Sequence, residues 1–186
     1  TPDVLNDCVA DLAIGLMIDV ARGIGASERY LRAGSWPKGA YPLQRKFSGK
    51  KLGIVGLGRI GHAIAKRALA FDMDIRYHNR RPVIDTSIAH EPSLVELARW
   101  CDFLVLIVPG GLATQHLVNE AVLDALGTKG YLINVARGSD DAGITYAVAA
   151  GNDDLNAGQE SPAALPAAIT VAASDTSDRR AYFSNF

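Results

Sequence analysis

Leu52-Gly53-Ile54-Val55-Gly56-Leu57-Gly58-Arg59-Ile60-Gly61 decides the fold. Its first four residues are an apolar run of strand length, and a helix-period pattern over residues 60–71 opens inside its last three. Three glycines at this spacing say little alone. Between a strand and a helix each has a task. Gly56 permits the tight turn, Gly58 lets a pyrophosphate approach the backbone, and Gly61 lets the helix pack against the strand. Phosphate oxygens then meet N–H groups at the positive end of a helix. Gly56, Leu57, Gly58, Arg59, Ile60 and Gly61 are therefore the first candidate cofactor-binding residues.

Outward from this stretch the pattern alternates. Apolar runs of strand type stand at 75–77, 103–108 and 131–135, and helical patterns near 92–99 and 119–126. Short apolar strands separated by helices imply parallel strands covered on both faces. The expected class is α/β, a doubly wound parallel sheet of the Rossmann type, over residues 51–186. Beyond Ser139 the signal weakens into an alanine-rich tail, with a helix expected near 143–150 and an apolar run at 168–173. Residues 4–25 read as one helix, apolar on more than one face. Residues 34–50 read as an aromatic arm punctuated by Gly and Pro. A helix apolar on two sides is covered by its own domain and by a partner. Residues 1–50 are thus expected to contribute to a homodimer.

The second strand selects the cofactor. A site for NAD(H) places Asp or Glu at its end, about 20 residues after the glycines, to hold the ribose 2′-hydroxyl. Here the strand runs into His78-Asn79-Arg80-Arg81, and Asn79 follows Gly61 by 18 positions (79 − 61). No carboxylate occurs from 75 to 84. A carboxylate would repel a 2′-phosphate, whereas Asn79 can donate to one and two guanidiniums can pair with it bidentately. NADP(H) is expected in preference to NAD(H). His78 borders the same ribose position.

Two further strand ends carry candidates. Val108 and Pro109, with Thr114 beyond them, lie where ligand-binding loops of such sheets belong. Asn134-Val135-Ala136-Arg137-Gly138-Ser139 closes the next strand. Val135, Ala136 and Arg137 are assigned to the cofactor side, and an arginine there can clamp a substrate carboxylate.

Composition bounds the remaining classes. The chain has 186 residues, 48% of them hydrophobic, enough for one domain with a core. Nineteen basic residues nearly balance twenty acidic ones, and the net charge is −1. No broad nucleic-acid or membrane-surface footprint is expected. The apolar runs are far short of a membrane span, so a cytoplasmic protein is the expectation. Cys8 and Cys101 stand in no metal-binding spacing and read as two buried thiols; no metal site is expected.

With these residues in hand, the chain resembles the D-isomer-specific 2-hydroxyacid dehydrogenases, near the glyoxylate/hydroxypyruvate reductases, over about residues 1–139. The resemblance is carried by Thr1-Pro2-Asp3-Val4-Leu5 with Ala10-Asp11-Leu12-Ala13, by the glycine stretch, by Pro109-Gly110-Gly111 with Thr114 and His116-Leu117-Val118-Asn119, and by residues 134–139. It implies a two-domain enzyme reducing a small 2-keto acid with a nicotinamide cofactor. By match, Arg137 is the residue that binds and orients the keto acid. The segment resembling residues 1–50 helps form the family's dimer, and Trp36 is a candidate for reaching a partner's active site. The chain opens where the resemblance places the interdomain hinge, so a cofactor domain without most of the substrate domain is expected. The family's Glu–His pair, with His as general acid/base, finds no match, since no histidine follows His116. His62, His78, His90 and His116 stand at non-catalytic positions. The chain alone is expected to bind cofactor and to reduce glyoxylate or hydroxypyruvate poorly or not at all. The alternative is a non-catalytic dinucleotide-sensing or interaction module of the same fold.

Overall fold

The computed structural model describes residues 5–110, 112–136, 146–149 and 168–171. Among these, strands β1 (Lys51–Val55), β2 (Asp74–His78), β3 (Ala89–His90), β4 (Phe103–Leu106) and β5 (Tyr131–Asn134) form a parallel sheet in the order β3-β2-β1-β4-β5. The helices are α1 (Asn6–Arg22), α2 (Ile24–Arg32), α3 (Arg59–Leu69), α4 (Leu94–Trp100) and α5 (Glu120–Leu126). The chain leaves β1 for β2 on one side and returns to β4 on the other. A crevice for a ligand opens where strand order reverses in this way.

Burial on both faces explains the apolar strands. Leu52 pairs with Phe103 and Ile54 with Val105, and Val105 pairs in turn with Ile133. All of them enter one core together with Ala10, Ala13 and Met17 of α1 and Ile64 and Ala68 of α3. One residue along, Val55 pairs with Leu106 and Leu104 with Leu132. These fill a second core beneath α4 and α5, with Leu97 and Val122. The two cores are the period-2 alternation of a strand covered on both sides. Each fully buried side chain of this size contributes about 1.5–3 kcal/mol of transfer free energy.

The helix starts follow local chemistry. Ser93 Oγ accepts from Glu96 N–H at the head of α4, and Asn119 Oδ1 accepts from Val122 N–H at the head of α5. α1 is tied to α3 by Arg67, whose Nη2 lies 3.0 Å from Asp7 Oδ1 and whose Nε donates to Asp11. These carboxylates raise the Arg67 pKa further above its usual value.

The structure revises several expectations. The helix anticipated over 4–25 ends at Gly23, whose N–H closes on Asp19 O, and α2 continues beyond it. The arm holds one short 3-10 turn, Trp36–Lys38. Alanine content predicts a helix near 143–150, yet Tyr146–Ala149 forms strand β6, parallel to β7 (Ala168–Val171). Tyr146 and Val148, an aromatic and a β-branched residue in alternation with alanine, suit a pleated strand. No described helix is long and apolar enough to cross a membrane.

The two thiols also part company. Cys101 is buried, and burial pushes its pKa up to about 12. Cys8 is exposed: with Asp7, Asp11 and Gly15 it lies on the stripe of α1 turned away from Ala10 and Ala13. A thiol-specific disulfide reagent at pH 8 is therefore expected to titrate one cysteine in the native chain and two in denaturant. Two fast-reacting native thiols would contradict the placement of Cys101.

Candidate functional site

The carboxyl ends of β1, β2 and β4 open on one cleft of about 940 Å³. That volume lies in the range of small-molecule and cofactor pockets, roughly 300–1,000 Å³. The glycine loop forms its floor. Gly56 has φ 107°, a conformation side-chain-bearing residues rarely adopt, and a Cβ there would stand 2.7 Å from Ile107 O on β4's continuation. A Cβ on Gly61 would stand 2.5 Å from Gly56 O, so only glycine lets α3 begin this close to the turn. At Gly58 a Cβ would meet nothing within 4 Å. The loop backbone at Gly58 therefore stands open on that side.

The loop's own N–H groups are spoken for. Gly56 N–H donates to His78 O at 3.0 Å, and Gly58 N–H donates to Gly56 O at 2.9 Å. Leu57 N–H donates to Asn79 Oδ1 at 2.7 Å. The helical ladder of α3 opens with His62 N–H on Gly58 O, so the N–H groups of Ile60 and Gly61 stand ahead of it. The helix end, rather than the loop, is where an anion finds donors.

Residues 78–81 form the wall beyond β2. His78, Asn79, Arg80 and Arg81 all line the cleft, with Arg59 from the first turn of α3. None of the described lining residues is Asp or Glu. Arg80 and Arg81 are exposed, and the wall behind them is held by paired imidazoles. His78 Nδ1–H donates to Glu91 O at 2.9 Å, His90 Nε2–H donates to Asn79 O at 3.1 Å, and the two rings stack. The opposite wall is apolar, from Ile107, Val108, Pro109, Ala113 and Leu117. Thr114 also lines it, donating through Oγ1 to Pro109 O at 2.8 Å.

Thus the structure gathers Gly56, Leu57, Gly58, Arg59, Ile60, Gly61, His78, Asn79, Arg80, Arg81, Val108, Pro109 and Thr114 around one cleft. Val135 and Ala136, after β5, are not among the described residues lining it. They lie beyond β4, and Ala136 N–H is turned to Asn134 Oδ1 at 3.0 Å. Asn134 is the buried polar residue of the described core, 2% exposed. Arg137 lies outside the described residues. Asn6, from the first turn of α1, lines the cleft without any sequence signal for it, because only the packing of α1 on α3 brings it there.

A polyanion fits this cleft: an open cradle at Gly58, a helix start behind it, and, among the described residues, cations without carboxylates at the rim. Fold and site together define a dinucleotide-binding α/β domain of the Rossmann type. Residues 14–151 match the family model of the D-isomer specific 2-hydroxyacid dehydrogenase, NAD binding domain. The chain belongs to that family. It is 50% identical over 138 residues to glyoxylate/hydroxypyruvate reductase A of Arabidopsis thaliana, covering 74% of this chain and 44% of the relative. It is 43% identical over 150 residues to 2-ketogluconate reductase of Gluconobacter oxydans, covering 80% and 48%. Among solved structures, the NADPH-dependent glyoxylate/hydroxypyruvate reductase of Sinorhizobium meliloti in complex with NADP and malonate superposes with TM-score 0.71 and 48% identity. That match covers 75% of this chain and 44% of the other. The chain spans about half the length of the curated relatives it matches.

Proposed function

We propose that this chain is the NADP(H)-binding part of a 2-hydroxyacid dehydrogenase that reduces a small 2-keto acid such as glyoxylate or hydroxypyruvate. One observation carries the cofactor choice: among the described residues, the cleft wall beyond β2 presents Arg80 and Arg81 and no carboxylate. Two guanidiniums favour a 2′-phosphate, and the missing carboxylate removes the usual partner of a free 2′-hydroxyl. The NADPH-dependent relative from Sinorhizobium meliloti supports the same reading.

Gly58 and the first turn of α3 would hold the pyrophosphate, and the apolar wall of Ile107, Val108 and Pro109 would receive a ring of the cofactor. Arg137 holds the keto acid's carboxylate and orients its carbonyl. The cofactor, when bound, supplies the hydride; the chain binds, orients and keeps water away. Because no histidine follows His116, this polypeptide alone turns over little or no substrate. The reductase names of the relatives favour this reading over a non-catalytic dinucleotide sensor.

Calorimetric titration with adenosine 2′,5′-bisphosphate and with 5′-AMP tests the choice. The 2′-phosphorylated fragment is expected to bind at least about ten-fold tighter, one charge-assisted hydrogen bond's worth, and to weaken with salt. Equal affinities would sink the assignment of Arg80 and Arg81.

A homodimer is part of the same proposal. Leu31, Trp36 and Leu43 are each 60% or more exposed on α2 and the arm. Apolar side chains in such number along one segment suit a partner surface. Sedimentation equilibrium is expected to give twice the 19.8 kDa chain mass. A monomer at micromolar concentration would contradict it.

A further inference from the structure

Asn79 stands at the end of β2, where sequence reading gives it a hydrogen bond to the 2′-phosphate. Its amide is turned elsewhere. Oδ1 accepts from Leu57 N–H at 2.7 Å, and Nδ2 donates to Leu57 O at 3.4 Å. Both polar atoms of one side chain thus grip both polar atoms of one residue's backbone, across 22 positions of sequence. Leu57 lies between Gly56 and Gly58, at the crest of the glycine loop.

Asn79 is itself held. Its carbonyl accepts from His90 Nε2–H, and the carbonyl of its neighbour His78 accepts from Gly56 N–H. The loop is therefore bolted to β2 at two successive residues, Gly56 by backbone and Leu57 by side chain. A loop containing glycines at both ends of Leu57 has many conformations open to it. An amide is well suited to select one of them, because it supplies an acceptor and a donor side by side, as a peptide neighbour would.

We infer that Asn79 is a positioning residue, which acts through Leu57 on the pyrophosphate of either dinucleotide and leaves discrimination of the 2′-phosphate to Arg80 and Arg81. The inference rests on the cofactor reading proposed above and adds a division of labour within residues 79–81. It makes a distinction by ligand. A residue touching the 2′-phosphate affects NADPH and spares NADH. A residue that shapes the pyrophosphate loop affects both equally and spares a ligand that has a 2′-phosphate but no pyrophosphate.

The experiment titrates the unaltered chain, Asn79→Ala and Asn79→Ser with NADPH, NADH and adenosine 2′-monophosphate, and records the unfolding midpoint of each ligand-free chain. Asn79→Ala is expected to weaken NADPH and NADH by the same factor, about ten-fold for the loss of a bidentate contact, and to leave adenosine 2′-monophosphate unchanged. Asn79→Ser keeps an oxygen one bond short of the amide's, which a bridging water extends to Leu57 N–H, and is expected to recover part of the affinity for both dinucleotides. Should the alanine chain fail to fold, the serine chain carries the comparison. Loss confined to NADPH, or no loss with either dinucleotide, would overturn the positioning role while leaving the cofactor reading intact. Binding of neither dinucleotide by the unaltered chain would overturn that reading and the Asn79 assignment with it.

Discussion

Gly56→Ala is expected to destabilise the chain severely, and Gly58→Ala two positions along to leave stability intact while lowering cofactor affinity. At Gly56 two costs add. A φ of 107° is a conformation that costs a side-chain-bearing residue about 1–3 kcal/mol. The new Cβ would also press on the Ile107 peptide, with O at 2.7 Å and C at 2.9 Å. Overpacking of this kind costs about 1–3 kcal/mol, and the Ile107 backbone, tied to β1 by its N–H on Val55 O, cannot swing away as a side-chain tip can. Together the terms take at least about 2 kcal/mol from a domain whose stability is on the order of 5–15 kcal/mol. Gly58 differs in both respects. Its φ of −101° and ψ of −156° are extended, and a Cβ would touch nothing. Alanine there stiffens the unfolded chain and is neutral or mildly stabilising, by up to about 1 kcal/mol. Its methyl group fills the space assigned to the pyrophosphate, and dinucleotide affinity is expected to fall at least about ten-fold. Denaturant midpoints and titrations of both variants check the pair. A Gly58→Ala chain that binds as well as the original would remove the ligand from the glycine loop.

The second large effect belongs to Arg80 and Arg81. Replacing both with alanine is expected to weaken NADPH about ten- to hundred-fold and NADH no more than about three-fold. The effect is smaller than that of buried ion pairs because both side chains are exposed and water and salt compete for them. The NADPH effect should accordingly shrink as ionic strength rises, as contacts screened over a Debye length do. Equal losses for both cofactors would mean that the arginines serve the fold or the pyrophosphate.

The parts legible in sequence were those where one residue type answers one local demand. The glycine spacing, the apolar β1 ahead of it and the α3 periodicity behind it required the turn that Gly56 and Gly61 make. The buried runs of β4 and β5 announced a parallel sheet. What escaped depended on distant partners. Strand β3 is two residues long, Ala89 and His90, and exists because β2 offers an edge. Cys8 sits among apolar neighbours but in the wrong helical phase for burial. Asn6 reaches the cleft only through the seating of α1 on α3. Asn79 was marked by its distance from the glycines, yet its grip on Leu57 depends on how closely the end of β2 approaches the loop. In the alanine-rich tail no periodicity separates strand from helix, and β6 emerged where a helix was expected.

The central claim is that the cleft holds a 2′-phosphorylated dinucleotide. Parallel fluorescence titrations of the purified chain with NADPH and NADH test it most directly. NADPH bound at least about ten-fold more tightly, with the advantage falling as salt is added, is the predicted result. NADH bound equally well or better would contradict it.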